Sequence, residues 1–272
     1  MVKKLYEYRL ALQHGGARQG LIVEWDGNFG EIAPLPNFSS ETLDEAKKEA
    51  LLWLRNNTPP TLPSVRFGIA CAKRPLRSLR LPLASLGMKA GFSTVKLKIG
   101  HLSAREAISY VKEHLGKAHL RLDCNRKWSL EESLFFADHF QRDDFAYLEE
   151  PVEPSSLVAF SQITHFPIAL DESIHRDWAT IPSLKAIVVK PTIIGSLPQV
   201  PSRYDLVLSS SYESGLGLLH IASLAEMGIP VGLDTYSALK EDLLIEPIRC
   251  SQGYFSWNAT HPPIDTSKLS QC

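Results

Sequence analysis

Five short apolar runs in the C-terminal three-quarters of the chain each end on side chains suited to acid–base or metal chemistry. They are Val95-Lys96-Leu97-Lys98, Arg121-Leu122-Asp123-Cys124-Asn125, Leu148-Glu149-Glu150-Pro151, Leu170-Asp171-Glu172-Ser173 and Val188-Val189-Lys190-Pro191. On a strand, positions i and i+2 share a face, so Lys96 and Lys98 can point together, as can Arg121, Asp123 and Asn125. Brought into one small volume, Asp123, Glu149 and Asp171 repel strongly unless their pKa values rise or a cation neutralises them. All-oxygen ligation without Cys or His favours Mg2+ over zinc, with Mn2+ as a substitute.

Lysines flank that cation from two sides. The arrangement suits proton abstraction next to a carboxylate: the cation takes the substrate carboxylate and stabilises an enediolate, while one lysine removes the proton. A lysine base requires a pKa lowered toward neutrality, and the charges of Lys96 and the cation act in that direction. Taken singly, Glu-Glu-Pro or Lys-x-Lys is ordinary surface charge or a turn, and Asp-Glu-Ser can cap a helix through Asp171 or Ser173. Five charged ends in succession are poorly explained as solvated edges, because burying unpaired charge is costly. A further stretch, Ser209-Ser210-Ser211-Tyr212-Glu213-Ser214-Gly215-Leu216-Gly217, leads into an apolar helix expected over 218–227. Hydroxyls and amides at a helix N-terminus form an anion site, here for a second substrate carboxylate, although an ordinary cap is the plainer alternative. The scattered histidines show no metal-ligand spacing, and Cys124 should face away from Asp123 on the opposite side of its strand.

The elements that must position these residues follow a strand rhythm. Eight β-branched runs, at 81–86, 94–99, 119–123, 146–149, 168–171, 186–190, 205–209 and 230–234, alternate with helical or loop material. That alternation predicts parallel strands in an α/β chain, closed as a TIM-like barrel with its site at the C-terminal strand ends. A Rossmann sheet would require GxGxxG after its first strand, and none is written here. The crossovers 174–185 and 191–204 are too thin for full helices, the second being broken by Pro198 and Pro201. Residues 1–78 read instead as a small α+β capping domain, with the C-terminal tail expected to pack on it, and 79–272 as the catalytic barrel. Within the cap, Thr42 and Glu45 have capping-box spacing ahead of Leu43, Ala46, Ala50, Trp53 and Leu54 at helical intervals.

The 272 residues carry 30 acidic and 29 basic side chains and are 44% hydrophobic, an ordinary globular balance that argues against nucleic acid or membrane as partners. The start, Met1-Val2-Lys3-Lys4-Leu5-Tyr6-Glu7, lacks the apolar stretch of an export signal, so a cytoplasmic protein is expected. Four cysteines without a CxxC pair argue against a zinc ribbon or redox site. Oligomeric state stays open, a monomer included.

These residues resemble the enolase superfamily, whose members join a capping domain to a modified (β/α)7β barrel and share the Lys-x-Lys, Asp, Glu, Asp, Lys order. Within it the likeness is to the o-succinylbenzoate synthase family. It is carried by Gly30-Glu31-Ile32-Ala33-Pro34-Leu35-Pro36-Asn37-Phe38-Ser39, Pro63-Ser64-Val65-Arg66-Phe67-Gly68-Ile69, Arg121 to Trp128, Lys190-Pro191-Thr192, the serine stretch and Gly232-Leu233-Asp234-Thr235. The resemblance implies Asp123, Glu149 and Asp171 as Mg2+ ligands, Lys98 as acid/base, Lys190 as the opposed ammonium and Lys96 as the residue that tunes Lys98. It also implies Asn125, Ser209, Ser211 and Gly232 as contacts to a small dicarboxylate substrate, with residues near Arg18 and Phe38 forming a lid. The implied reaction is the lyase-type dehydration of 2-succinyl-6-hydroxy-2,4-cyclohexadiene-1-carboxylate to 2-succinylbenzoate in menaquinone biosynthesis, a syn elimination. An N-succinylamino acid racemase or dipeptide epimerase would use the same groups, and a non-catalytic carboxylate-binding barrel is the reading from another class. The chain departs from the family in its short crossovers and in Asn37, where relatives often carry glycine.

Overall fold

The computed structural model describes residues 2–258 and 261–272; Met1 of the N-terminal stretch lies outside them. The first unit comprises β1 (Lys3–Ala11), β2 (Ala17–Trp25), β3 (Asn28–Ile32), α1 (Leu43–Asn56) and α2 (Pro63–Ala72). Asp26 and Gly27, at φ 46° and 84°, make the tight turn between β2 and β3, a geometry whose twist matches the paired strands. Both halves of the Thr42/Glu45 capping box form, and α1 buries Ala46, Ala50 and Trp53 against Leu5, Leu21, Val23 and Ile32 of the sheet. Glycines let α2 approach β3 closely: a Cβ on Gly30 would stand 2.0 Å from the carbonyl oxygen of Gly68.

The second part runs β4 (Leu79–Pro82), β5 (Ala84–Leu86), β6 (Thr94–Lys98), α3 (Ala104–His114), β7 (His119–Asp123), α4 (Leu130–Ala137), β8 (Tyr147–Glu149), α5 (Leu157–Thr164), β9 (Ile168–Leu170), β10 (Leu184–Val189), α6 (Pro191–Ile194), β11 (Asp205–Leu208), α7 (Gly215–Ser223), β12 (Arg249–Ser251), β13 (Tyr254–Trp257) and β14 (Leu269–Gln271). Strands β5 to β11 form a parallel sheet in sequence order. Its two edges meet through Val231 and Gly232, which bridge in parallel to Leu83 and Ser209. Val231 N donates to Pro82 O and Gly232 N to Leu208 O, each at 2.8 Å, so the eighth run closes the barrel with only two residues.

Three expectations need correction. The run 81–86 is not one strand: Leu79–Pro82 pairs antiparallel with β13, and only Ala84–Leu86 joins the barrel. The run 230–234 gives up its ladder after Gly232 and turns into a 3-10 segment, Asp234–Ala238, because the Asp234 carboxylate turns back to accept Leu86 N at 2.7 Å and Lys89 Nζ at 2.5 Å. The crossover 174–185 holds only the 3-10 turn Trp178–Thr180, and 191–204 only the one-turn α6. Helix α7 starts at Gly215 and ends at Ser223, ahead of the expected 218–227. At the end of the chain, β14 returns to pair with β1, Tyr6 opposite Gln271. No helix among the described residues is long and apolar enough to cross a membrane.

Candidate active site

Strand parity sorts the barrel's side chains into a wall, a floor and a charged mouth. Leu97, Leu122, Leu148, Leu170, Ile187 and Leu208 face outward into the main hydrophobic core. Tyr147, Ala169, Ala186, Val188 and Val207 form a separate buried cluster, the floor inside the barrel. Two residues beyond floor members on their strands stand Glu149, Asp171, Lys190 and Ser209, which the two-residue period brings to the same inner face. Register aligns Lys98 of β6 with Asp123 of β7, and Asp123 with Glu149 of β8.

One cavity of about 250 Å3 is lined by every expected site residue: Lys96, Lys98, Asp123, Asn125, Glu149, Asp171, Lys190, Ser209, Ser211 and Gly232. Lys96 Nζ lies 2.8 Å from Asp123 Oδ2 and 2.7 Å from Glu149 Oε1, and Lys190 Nζ contacts Asp171 Oδ2. Lys98 is exposed and pairs with no carboxylate among the described residues. Burial alone would lower the ammonium pKa of Lys96, but the charges of Glu149, Asp123 and Asp171 outweigh it and hold that pKa raised. The same balance raises Lys190 through Asp171. Burial, with Asp123 and Asp171 adding to it against the pull of Lys96, pushes the carboxyl of Glu149 up to about 8.

The three carboxylates are therefore tied to ammonium groups rather than gathered on one point, and among the described residues no three of His, Cys, Asp and Glu form a ready cage for a metal ion. The donor set nonetheless suits a hard cation: three carboxylates line one cavity, and Glu149, 1% exposed, carries a charge that burial opposes. A cation bound by all three would displace Lys96 and Lys190 from them.

Around this centre stand further groups, of which strand parity had already placed Arg121 on the inner face but had not singled out Tyr147. Tyr147 and Arg121 line the cavity one tier below Glu149 and Asp123, with the Arg121 guanidinium 5.4 Å from the Tyr147 ring and bonded to Pro230 O. Their position two residues before Glu149 and Asp123 was the available signal. Glu150 is fully buried and accepts Asp171 N at 2.9 Å, Ser173 N and Ser173 Oγ at 2.8 Å and Arg126 Nε at 3.0 Å, so it braces the end of β9. It stands at φ 46°, a left-handed conformation that strand patterning does not reveal. Leu35 and Phe38 of the first unit reach the cavity, and Phe38 is 63% exposed at its mouth. Asn37 has φ 66°, which explains why glycine or asparagine fits there. Cys124 is buried in the outer core, away from the cavity.

The helix N-terminus after β11 is not free for an anion. Ser214 N donates to the Glu31 carboxylate and Gly215 N to Asp242 Oδ1 at 2.8 Å, so intramolecular carboxylates hold its first amides. The serines themselves still line the cavity.

Residues 2–76 match the family described as MenC, N-terminal domain, and residues 83–191 the family described as Enolase C-terminal domain-like. The o-succinylbenzoate synthase of Proteus mirabilis (strain HI4320) is 34% identical, over 91% of this chain and 93% of its own length. The chain belongs to the o-succinylbenzoate synthase family. The family's enzyme from Haemophilus influenzae (strain ATCC 51907 / DSM 11121 / KW20 / Rd) is 35% identical over 84% of this chain and 85% of its own. Among solved structures, the o-succinylbenzoate synthase of Thermosynechococcus elongatus BP-1, complexed with Mg in the active site, superposes with a TM-score of 0.69 at 23% identity, covering 89% of this chain and 94% of that one. Muconate cycloisomerase from Pseudomonas fluorescens, at 16% identity over 97% of this chain and 96% of its own, gives 0.74 and shares the fold. The enolase-superfamily architecture, a barrel with a separate N-terminal antiparallel sheet, is thus common to this chain and its family.

Proposed function

We propose that this chain is a Mg2+-dependent lyase that dehydrates 2-succinyl-6-hydroxy-2,4-cyclohexadiene-1-carboxylate to 2-succinylbenzoate. The observation that carries the reading is one cavity lined together by Lys98, unpaired among the described residues, by three carboxylates and by Lys190. Asp123, Glu149 and Asp171 are the residues that would hold Mg2+, with Mn2+ able to replace it. Bound there, the cation would accept the substrate carboxylate and stabilise negative charge developing on it.

Lys98 is the base that takes the α-proton and the acid that returns it to the departing hydroxyl on the same face. Lys190, released from Asp171, presents its ammonium from the opposite strand to the developing charge. Lys96, which the bound cation would displace from Asp123 and Glu149, is the residue that tunes Lys98. Asn125, Ser209, Ser211 and Gly232 contact the substrate's polar groups. Residues 1–78 act as the cap, with Leu35 and Phe38 covering the mouth and excluding water. Arg18 is a tether, its guanidinium buried and bonded to three carbonyls of the cap and to Tyr212 O of the barrel. A cytoplasmic location fits four free cysteines in a reducing compartment.

The direct test follows succinylbenzoate formation from the cyclohexadiene substrate with and without Mg2+. Turnover that disappears on chelation and returns with Mg2+ is expected; rapid α-proton exchange of N-succinylamino acids with no succinylbenzoate formed would move the chain to the racemase reading. Asp123→Asn should weaken Mg2+ binding by at least about tenfold in calorimetry. Undiminished affinity would remove Asp123 from the ligand set.

A further inference from the structure

The segment 211–214, whose Ser211 and Tyr212 line the cavity, is held by side chains of the first unit rather than by the barrel alone. Glu31, at the end of β3, is 2% exposed. Its carboxylate accepts Ser214 N at 3.0 and 3.1 Å, Ser214 Oγ at 2.7 Å, and the hydroxyl of Tyr8 on β1. Arg18 of β2, 5% exposed, donates to Tyr212 O at 3.1 Å while its other nitrogens bind Ala33 O, Pro34 O and Gln19 O. Between these ties Tyr212 stands at φ 60°, a conformation that a tyrosine adopts only where its surroundings impose it.

What the clamp presents is an uncommitted hydroxyl. Ser211 is 1% exposed and lines the cavity, yet its Oγ has no hydrogen-bond partner among the described residues. A buried hydroxyl left without a partner is costly, so one is expected from whatever fills the cavity. The backbone of Ser211 is fixed from the other side, its N–H donating to Glu213 Oε2 at 2.5 Å. The first turn of α7 passes between the Glu31 carboxylate and the stem of the Glu213 side chain: a Cβ on Gly217 would lie 2.2 Å from Glu31 Oε2 and 2.7 Å from Glu213 Cβ. There is no slack by which 211–214 could shift while Glu31 stays in place.

We propose that Glu31 is a positioning residue for substrate binding: by holding Ser214 from the first unit it fixes Ser211 Oγ at the cavity wall, so the cap's seating and the substrate's second polar contact form one device. The proposal rests on the function given above for this cavity. Glu31 touches neither the lysines nor the three carboxylates, so its loss acts on substrate affinity and leaves the proton-transfer and metal-binding groups in place.

The test compares Glu31→Ala, Glu31→Gln and Ser214→Ala in the full-length protein. Glu31→Ala should raise KM about tenfold while kcat falls by less than about threefold, with Mg2+ affinity in calorimetry unchanged. Glu31→Gln, whose amide oxygen still accepts from Ser214, should recover most of the affinity. Glu31→Ala combined with Ser214→Ala should raise KM by less than the product of the single effects, because both changes act on one contact. Unchanged KM in folded Glu31→Ala despite a lower Tm would reduce Glu31 to a stability element and overturn the proposal. So would effects of Glu31→Ala and Ser214→Ala that multiply independently. If Glu31→Ala does not fold, unchanged KM in both milder variants overturns it equally. Wild-type protein that makes no succinylbenzoate would instead refute the function itself, an outcome separate from these.

Discussion

The barrel has a padded half and a bare half, and both deliver functional groups to the same cavity. Across β6 to β8, full crossovers with capped helices cover the strands: Ser103 with Glu106 and Ser129 with Glu132 close capping boxes on α3 and α4, and Phe136 packs with Trp128, Phe140 and Phe145 beneath them. This half supplies Lys96, Lys98, Asp123 and Glu149. Across β9 to β11 the crossovers shrink to a 3-10 turn and one helical turn, yet Ile187, Val189 and Leu208 on the outer face are as buried as their counterparts. The cover comes from elsewhere. Trp178 meets Tyr204 edge to face, and α2 of the first unit packs on α6, with Arg66 Nη2 donating to Ile194 O at 3.0 Å. A Cβ on Gly195, at φ 80°, would lie 2.6 Å from the Arg66 guanidinium, so this contact leaves no room for a side chain. Strands need apolar cover and do not specify its source, so the cap can replace missing barrel helices where it docks.

The comparison is sharpest at the lysines, one from each half. Lys98→Ala should reduce kcat by about 10^2 to 10^4-fold, as expected for a lost general base, and Lys190→Ala by about 10^2 to 10^3-fold, as for a lost electrostatic donor. Steady-state turnover with metal affinity retained would check both, and a larger loss at Lys190 would reverse the division of labour. In the padded half, Phe136→Ala should cost about 3 to 5 kcal/mol in denaturant unfolding, because the fully buried ring leaves a cavity among aromatic neighbours. A cost near that of a surface change would mean that the padding is not what stabilises this half.

Acid should probe the contact of α7, beyond the bare half, with the first unit. His220 on α7 is held to Phe29 O, and burial pushes its imidazole down to about 4. The unfolded chain therefore binds the proton first. Stability is fully present above the unfolded pKa of roughly 6.5 and is lost as pH falls toward about 4, by up to about 3 kcal/mol. Replacing His220→Gln should flatten that slope in thermal melts, and an unchanged slope would place the acid sensitivity elsewhere. The smallest expected effect is Arg66→Ala, which removes one cap-to-barrel bond and should destabilise by about 1 kcal/mol. Hydrogen exchange should then quicken in β10 and β11 before β6 and β7, and uniform quickening would erase the distinction between the halves.

Much of the site was legible because its grammar is local. Alternation placed Lys96 with Lys98 and Asp123 with Asn125, and the same alternation turned Cys124 outward. Prolines 198 and 201 marked the crossover that lacks a full helix. Glu150 escaped notice because Glu-Glu-Pro reads as a turn, and its value lies in bonds to residues 21 and 23 positions away in the chain. The helix N-terminus misled for a related reason: its amides looked available, and only the fold shows Glu31 and Asp242 already occupying them.

By itself, then, the sequence determined which side chains share a face, where the capped helix α1 begins and which charges end the strands, since those depend on neighbours within a few residues. Tertiary structure alone decided how the barrel closes, with Val231 and Gly232 sufficing for its eighth strand, and how Lys96 bridges two carboxylates from β7 and β8. It also decided that Glu31, 183 residues from Ser214, is that residue's partner. Such pairings arise from chain closure and from the need to satisfy buried polar groups, neither of which leaves a periodic trace in the chain.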